Sequence, residues 1–248
     1  MDQKAAYYQR GTALFCAGRY AEALEFFDRA LECDPHAKEV LVAVASTVDR
    51  LGLFQEAILC CEQAIGEDNQ FCDAWFIKGL AHFRLSEYRK SCACFEQLLN
   101  NDRTHAEAWF MKGNCHYQLG ELDEALCCYD ETIRIRRKYP KAFYNKAVAL
   151  AEKGRYDEAL LFYDECLGMN PGVAVVMTNK AVALAHLGLY AEAEELFRQA
   201  LELDPRDVTA WTNLGLCLSR LGREPEAFAC FEKVRQLSGI TRVRDIVR

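Results

Sequence analysis

Proline is scarce in this chain of 248 residues: there are five prolines, and no glycine- or serine-rich stretch divides the sequence. The chain therefore lacks the kind of linker that joins separately folded domains. Its composition, 51% hydrophobic and 27% charged, is typical of a chain that folds and excludes a disordered tail. We expect one continuous folded array.

An excess of positive charge is also missing, since the formal net charge is −7 and the pI is near 5.4. Binding to nucleic acid without sequence preference needs clustered Lys and Arg that displace counterions from phosphates. The basic run at 134–138 is short and complements the carboxyl end of a predicted helix. We therefore expect no nucleic-acid partner.

Long apolar runs are absent, and none approaches the roughly 20 residues that a membrane-spanning helix needs. The first residues, MDQKAAYYQRG, lack the basic region and apolar core of a signal peptide. We expect no membrane partner and a soluble, cytoplasmic protein.

What the sequence does contain is an internal repeat of about 34 residues, which recurs without insertion or deletion. Its most regular position holds small residues: Ala23, Ala57, Ser91, Ala125, Ala159, Ala193 and Ala227. Four residues later stand Phe27, Cys61, Phe95, Tyr129, Tyr163, Phe197 and Phe231. A second small position holds Gly11, Ala45, Gly79, Gly113, Ala147, Ala181 and Gly215. A glycine position, with serine in one repeat, holds Gly18, Gly52, Ser86, Gly120, Gly154, Gly188 and Gly222.

Each repeat has the pattern of two amphipathic helices separated by the glycine position, with apolar residues at helical spacing on both sides. Pro35, Pro171 and Pro205 stand where the second helix must stop. We expect the small residues of the first helix to allow close approach of the two helix backbones.

This skeleton resembles the tetratricopeptide repeat (TPR) family, which has the same repeat length. Seven contiguous repeats, at 4–37, 38–71, 72–105, 106–139, 140–173, 174–207 and 208–241, form an array over 4–241 and leave a short tail or cap at 242–248. The resemblance implies an all-α solenoid of antiparallel helix pairs in a right-handed superhelix. Ala45 and Ser91 depart from the pattern, and we expect softer packing there.

The resemblance also implies a non-enzymatic scaffold or adaptor that binds a protein partner, with first helices lining a concave groove. Asn145, Asn179 and Asn213 occupy the same position in the first helices of three successive repeats, on the side opposite the packing residues. A side-chain amide both donates and accepts, so such a row can hold the backbone of an extended peptide. The alternative is that these asparagines are solvated residues of the repeat pattern.

Aromatic residues are expected on the same face in the earlier repeats, and exposed aromatic patches often mark interaction sites. Tyr8 and Phe15 occupy the first repeat, and Phe83 and Tyr117 are expected to pack against neighbouring repeats. The predicted ligand surface consists of Phe76, Phe110, Met111 and Tyr144.

One known TPR specificity, the carboxylate clamp of heat-shock co-chaperones, uses two asparagines and three basic residues. Asn114 and Asn145 match the asparagine pair, and we include Asn114 among the predicted peptide-binding residues. The basic positions hold Phe110, Val175 and Asn179. Without cations a carboxylate has no charge-assisted partner, so we expect no clamp.

Motifs of catalysis and metal binding are missing: there is no phosphate loop, serine elbow, HExxH or CxxC. The thirteen cysteines are odd in number and include adjacent pairs, a poor disulfide framework. Cys60, Cys94, Cys128 and Cys230 share a position that holds Phe or Leu in other repeats, which indicates small core residues. His82 and His116 are expected to be core or half-buried. We expect no enzyme, no cofactor and no metal.

Two further patterns leave alternatives open. Lys78, Lys112, Lys146 and Lys180 form a row whose partners are expected to be acidic residues of second helices; the alternative is an acidic ligand. Ile240, Val243, Ile246 and Val247 have roughly helical spacing. We expect this stripe either to cap the array or to be buried against a partner or a second copy of the chain. The second possibility gives an alternative function, that of a structural protein that self-associates as a homodimer through its C-terminal end.

Overall fold

The computed structural model describes residues 3–239, and the regular secondary structure in that range is entirely α-helical. The fourteen helices of this range are α1 Gln3–Cys16, α2 Tyr20–Cys33, α3 Lys38–Arg50, α4 Phe54–Glu67, α5 Cys72–Arg84, α6 Tyr88–Asn101, α7 Ala106–Gln118, α8 Leu122–Ile135, α9 Pro140–Glu152, α10 Tyr156–Met169, α11 Ala174–His186, α12 Tyr190–Leu203, α13 Val208–Arg220 and α14 Glu224–Ser238.

Each consecutive helix pair falls, to within one residue, inside one of the predicted repeats. The structure therefore confirms an all-α array of helix pairs. The predicted second-helix ends are confirmed as well, because α2, α10 and α12 each stop two residues before a proline. The apolar stripe of Ile240 to Val247 lies outside the described residues, and its role as a cap or a dimer contact stays a prediction.

The chain divides into two compact units, here called the N-terminal unit (residues 1–135) and the C-terminal unit (residues 136–248). In the N-terminal unit, α1 packs on α3, α3 on α5 and α5 on α7; in the C-terminal unit, α9 packs on α11 and α11 on α13. The first helices thus lie side by side within each unit. We call the surface they present the first-helix face.

In the first, third, fourth and seventh repeats an aromatic ring of the second helix packs against the glycine of the first helix, whereas the second repeat holds Cys61 at the aromatic position. A Cβ atom added to Gly79 would lie 2.8 Å from the Phe95 ring, and one added to Gly113 would lie 2.7 Å from the Tyr129 ring. A glycine at this position lets the ring lie directly against the backbone of the first helix. Ala147 and Ala181 stand at the same position in the repeats that carry Tyr163 and Phe197, so a methyl group is accommodated there. Ser91 shows no loosening: it is fully buried, and its hydroxyl donates to the Gly79 carbonyl at 2.7 Å.

The turn within each repeat closes the first helix with a left-handed residue. At the first repeat, the amide of Gly18 (φ 75°) donates to the Phe15 carbonyl at 2.9 Å, and the next amide, of Arg19, donates to the Leu14 carbonyl at 3.0 Å. This pair of bonds satisfies two carbonyls that the helix leaves open. Glycine has no Cβ atom to clash in this conformation, which explains the regular glycine position.

Ser86 occupies that position in the third repeat with φ 59°, and among the described residues it is the one non-glycine residue with positive φ. We expect Ser86→Gly to raise the free energy of unfolding by about 0.5–1 kcal/mol, because relief of left-handed strain outweighs the added entropy of the unfolded chain. The reverse change, Gly120→Ser, should lower it by a similar amount. Urea unfolding followed by circular dichroism measures both, and a loss of stability in Ser86→Gly would contradict the explanation.

The turn between repeats follows a different rule. Asp34, Asp68, Asp102 and Asp204 each end a second helix and accept a hydrogen bond from the backbone amide two residues later, at 2.8–3.2 Å. These side-chain bonds imitate a backbone turn and reverse the chain. Lys4 and Lys38, from neighbouring first helices, pair with the first two of these carboxylates.

Candidate peptide-binding faces

The first-helix face of the C-terminal unit carries the predicted asparagine row. Phe143, Ala147 and Leu150 of α9 are buried and form the packing side of this helix. The row itself is half-buried in successive first helices, at Asn145, Asn179 and Asn213. The constant repeat length thus brings three amides to equivalent places on one face.

A hydrogen bond between neighbouring first helices orients the central amide of this row. Asn179 Nδ2 donates to the Tyr144 hydroxyl at 2.9 Å, and the Tyr144 ring centroid lies 6.3 Å from that of Tyr163. Burial raises the pKa of Tyr144, so its hydroxyl stays neutral. The Asn179 carbonyl oxygen accepts no hydrogen bond from residues 3–239. It is therefore held in a fixed direction with its acceptor capacity unused.

Asn213 is held in a different way, because its Nδ2 donates to the Thr209 carbonyl one turn earlier in α13 at 2.9 Å. The Asn213 NH2 group is therefore bonded to its own helix, and its carbonyl oxygen can still accept a hydrogen bond from a ligand. The three asparagines share a face, but the structure gives each a different local environment.

The predicted aromatic surface of the N-terminal unit is only partly available. Phe76 is half-buried, with its ring edge-on to Phe95 at 5.8 Å and tilted against His105 at 5.2 Å. Phe110 is 8% exposed and lies 6.0 Å from Tyr129. The expectation that Phe110 presents its ring to a ligand is thus corrected: its ring belongs to the core.

The neighbouring polar and thioether groups are engaged inside the repeat. Asn114 accepts a hydrogen bond from the Tyr129 hydroxyl at 3.0 Å, and its Nδ2 lies 3.6 Å from the sulfur of Met111. Met111 is half-buried against the core around Phe95. Both side chains make contacts within the array, and their predicted role in ligand binding stays a prediction.

A cavity that the sequence did not reveal opens on the first-helix face of the N-terminal unit, between α1, α3 and the start of α5. It has a volume of about 300 Å³ and is lined by Tyr8, Thr12, Phe15, Phe27, Glu39, Val42, Ala43, Ser46, Phe71 and Asp73. The sequence placed Tyr8 and Phe15 on this face. The cavity itself depends on the small Ala43 and Ser46 opposite them, and helical periodicity carries no signal for such a gap.

The charges around this cavity are of one sign. Glu39 and Asp73 are exposed, and neither forms an ion pair within residues 3–239. The lining includes no Lys or Arg. Lys38, which precedes Glu39, is paired with Asp68 at 2.5 Å. The cavity therefore offers an apolar floor with unneutralised carboxylates at its edge.

The lysine row is confirmed as paired with acidic residues of second helices at three positions. The distances are 2.8 Å for Lys78–Glu62, 3.8 Å for Lys112–Glu96 and 2.5 Å for Lys180–Asp164. In the fourth, the Lys146 ammonium lies 3.9 Å from the centre of the Phe162 ring. These contacts favour the structural reading of the row over an acidic ligand.

The cysteines and histidines lie mostly inside the repeats. The thirteen cysteines all fall within the described residues and are free thiols, and Cys94, Cys128 and Cys230 are buried as expected, with Cys60 half-buried. Burial raises the pKa of Cys128 to about 12. His82 is buried and His116 half-buried, as predicted. Across residues 3–239, no group of three His, Cys, Asp or Glu side chains could hold a metal ion.

The helices within residues 3–239 are all too short or too polar to span a membrane.

Comparison with known families and structures places this fold. The profile of the cilia and flagella-associated protein 70 C-terminal domain matches residues 91–237, more than half of the chain, and two tetratricopeptide repeat profiles match residues 5–37 and 73–105. A search of curated proteins found no match.

Solved TPR structures are similar in fold at low sequence identity. The C-terminal part of a TPR protein from Cytophaga hutchinsonii is 16% identical with a TM-score of 0.79, covering 97% of this chain and 99% of that one. A TPR protein from Parabacteroides merdae is 17% identical with a TM-score of 0.71, covering 100% and 98%. YrrB, described as a TPR protein with an unusual peptide-binding site, is 20% identical with a TM-score of 0.66, covering 74% and 95%.

Repeat length, helix pairing and family profiles agree: this chain belongs to the tetratricopeptide repeat family and, through residues 91–237, to the family of the cilia and flagella-associated protein 70 C-terminal domain.

Proposed function

We propose that this chain is a protein-interaction array whose first-helix faces bind an extended segment of a partner protein. TPR repeats generally form a non-enzymatic protein-interaction fold, and YrrB is described as having a peptide-binding site. The observation that carries the proposal is the cavity between α1, α3 and α5, which combines apolar walls with the unpaired carboxylates of Glu39 and Asp73.

The chemistry of the cavity selects one kind of segment. A volume of about 300 Å³ accommodates a large apolar side chain, whose burial is favourable by about 1.5–3 kcal/mol. A neighbouring Lys or Arg of the ligand would face Glu39 and Asp73, where no cation of the lining competes with it. The preferred ligand is therefore an apolar residue next to a basic one.

The asparagine row of the C-terminal unit supplies a second mode of contact. Packed helices lie about 8–10 Å apart, close to the length of three extended residues at roughly 3.3 Å each. Equivalent amides on successive first helices can therefore meet every third peptide unit of an extended ligand. We propose that Asn179 and Asn213 use their free oxygens to accept backbone N–H groups, with Asn145 in the same row.

Peptides selected on the wild-type protein from a random display library provide the test, with dissociation constants measured by fluorescence anisotropy. Exchanging the rim carboxylates (Glu39→Gln with Asp73→Asn) should weaken peptides that carry the apolar–basic pattern about 5- to 10-fold, since exposed ion pairs contribute up to about 1 kcal/mol each. Changing all three asparagines to alanine should weaken peptides bound by the C-terminal unit roughly 10- to 100-fold.

Glu165→Ala with Gln199→Ala, two exposed residues of second helices, is the matched control and should leave every affinity unchanged. Circular dichroism of each variant confirms its helicity. Selected peptides that bind all variants as tightly as the wild type would refute both first-helix faces. A loss of affinity in only one of the two variants would show that the peptide binds the unit that carries the altered residues.

A further inference from the structure

Three side chains of the N-terminal unit form a connected chain that the proposed function does not use. Cys92 Sγ lies 3.3 Å from His116 Nε2, and His116 Nδ1 lies 2.7 Å from Glu121 Oε2. They come from three elements: α6, α7 and the residue before α8. The order thiol, imidazole, carboxylate is that of a nucleophile, a base and the group that orients the base.

The contacts define where the protons are. Burial raises the pKa of Cys92, so its sulfur is a thiol at rest. Because a carboxylate only accepts, we assign the Nδ1–H of His116 as the donor to Glu121, which leaves Nε2 to accept from the Cys92 thiol. The second oxygen of Glu121 lies 3.5 Å from the Arg89 guanidinium, which steadies the carboxylate. Cys92 itself is half-buried and therefore retains some access to solvent.

The preceding repeat contains the same histidine–carboxylate pair without the thiol. His82 Nδ1 lies 2.6 Å from Glu87 Oε2, as His116 does from Glu121 one repeat later. Ile58, one repeat before Cys92, occupies the position relative to His82 that Cys92 occupies relative to His116. The pair therefore belongs to the turn of these two repeats, and the chain places a nucleophilic group against it in one of them. This gives a matched internal control.

We propose that Cys92 is a reactive thiol that forms mixed disulfides with small disulfides, with His116 as its base and Glu121 as a positioning residue. As the Cys92 sulfur attacks one sulfur of the disulfide, its proton passes to His116 Nε2. The S–S bond of the small molecule breaks, and the released thiolate takes that proton. One Cys92–S–S–R bond and one R–SH form for each disulfide consumed, so no other oxidant is required.

Glutathione disulfide is the probe, and the full-length chain is treated with it, quenched and examined by peptide mass spectrometry so that each thiol is followed separately. We expect Cys92 to react faster than the exposed Cys127. His116→Phe should slow the reaction at Cys92 about 100-fold, the lower range of general-base effects. Glu121→Gln should slow it less, and Glu87→Gln should leave it unchanged.

The pH dependence separates a base from a merely structural histidine. The charged groups near Cys92 are Arg89 and Glu96 of α6, Lys112 of α7 and Glu121, and the same four remain in His116→Phe. Without its base the thiol reacts only after ionising in solution, so the rate at Cys92 should rise more steeply with pH in that variant than in the wild type.

Cys115, which is buried, should stay unmodified in every variant and thereby reports that the fold is intact. If Cys115 becomes modified in His116→Phe, that variant is no longer folded, and the Cys92 rate in Glu121→Gln then tests the proposal. Equal Cys92 rates in the wild type and Glu121→Gln, equal pH profiles in the wild type and a folded His116→Phe, or a wild-type Cys92 slower than Cys127 would each overturn the proposal and leave Cys92 as an inert packing residue.

Discussion

Replacing Phe197 by alanine is expected to lower the free energy of unfolding by about 3–5 kcal/mol, the range for truncating a fully buried aromatic side chain. The Phe197 ring has no solvent exposure and packs in a cluster that includes Ala181, Leu184 and Leu214 of two first helices. Its removal leaves a cavity at the contact between successive repeats. Because stability in repeat arrays depends on such neighbour contacts, the loss should extend beyond one repeat. Urea unfolding followed by far-UV circular dichroism measures it.

Phe228 in α14 provides the control for that experiment. It is the same residue type in a second helix of the same unit, but it is 58% exposed. Phe228→Ala should change the free energy of unfolding by no more than about 0.5 kcal/mol. Similar losses in the two variants would show that the ring at Phe197 does not carry the packing assigned to it.

Replacing Arg84 by methionine is expected to cost about 3 kcal/mol near neutral pH, because it leaves a buried carboxylate without its partner. Asp49 of α3 is 5% exposed, and its Oδ2 lies 2.5 Å from Nη1 of Arg84 in α5. Its Oδ1 already lacks a hydrogen-bond partner among the described residues. Arg84 is itself 37% exposed, so the expected cost lies at the lower end of values for buried pairs.

The cost should depend on pH in a defined direction. Burial raises the pKa of Asp49 and Arg84 opposes that shift, so the folded protein holds the Asp49 proton more tightly than the unfolded chain does. Stability from this group is then lost as pH rises through the folded-state pKa and regained as pH falls. Without Arg84 the pKa rises further. The destabilisation by Arg84→Met should therefore be large near pH 7 and small near the ordinary aspartate value of about 3.9.

Two variants check this explanation by urea unfolding at both pH values. Adding Asp49→Asn to Arg84→Met should restore part of the stability at neutral pH, since no charge is then buried. Lys38→Met, which breaks an ion pair whose partners are each about one-third exposed, should have a much smaller effect. A loss in Arg84→Met that is independent of pH would exclude Asp49 ionisation as its cause.

The fold could be predicted from the sequence because the repeat itself encodes it. Each of the seven copies has the sequence pattern of the same two helices and the same turn. In the structure, Ala125 and Tyr129 of one copy are buried, as are the equivalent Ala159 and Tyr163 of the next. Local signals also agree with the global packing, since glycine stands where the helix ends in the left-handed conformation.

The candidate sites were less predictable. Asn179 was expected on the first-helix face, but its bond to Tyr144 joins residues 35 positions apart. Phe110 was expected to face a ligand, although it differs little in sequence context from Phe76, and only packing against Tyr129 shows that it is buried. Helical periodicity specifies the side of a helix but not how closely the next element covers it.

The sequence by itself determined the helix pairs, their ends, the buried ladders and the membership of the TPR family, because each depends on residues within one repeat or on their recurrence from one repeat to the next. Only the tertiary structure decided the cavity beside Glu39 and the alignment of Cys92 with His116 and Glu121. Both arise where different helices meet at side-chain distance. Their members are separated by sequence intervals that no local rule relates, so contact geometry alone brings them together.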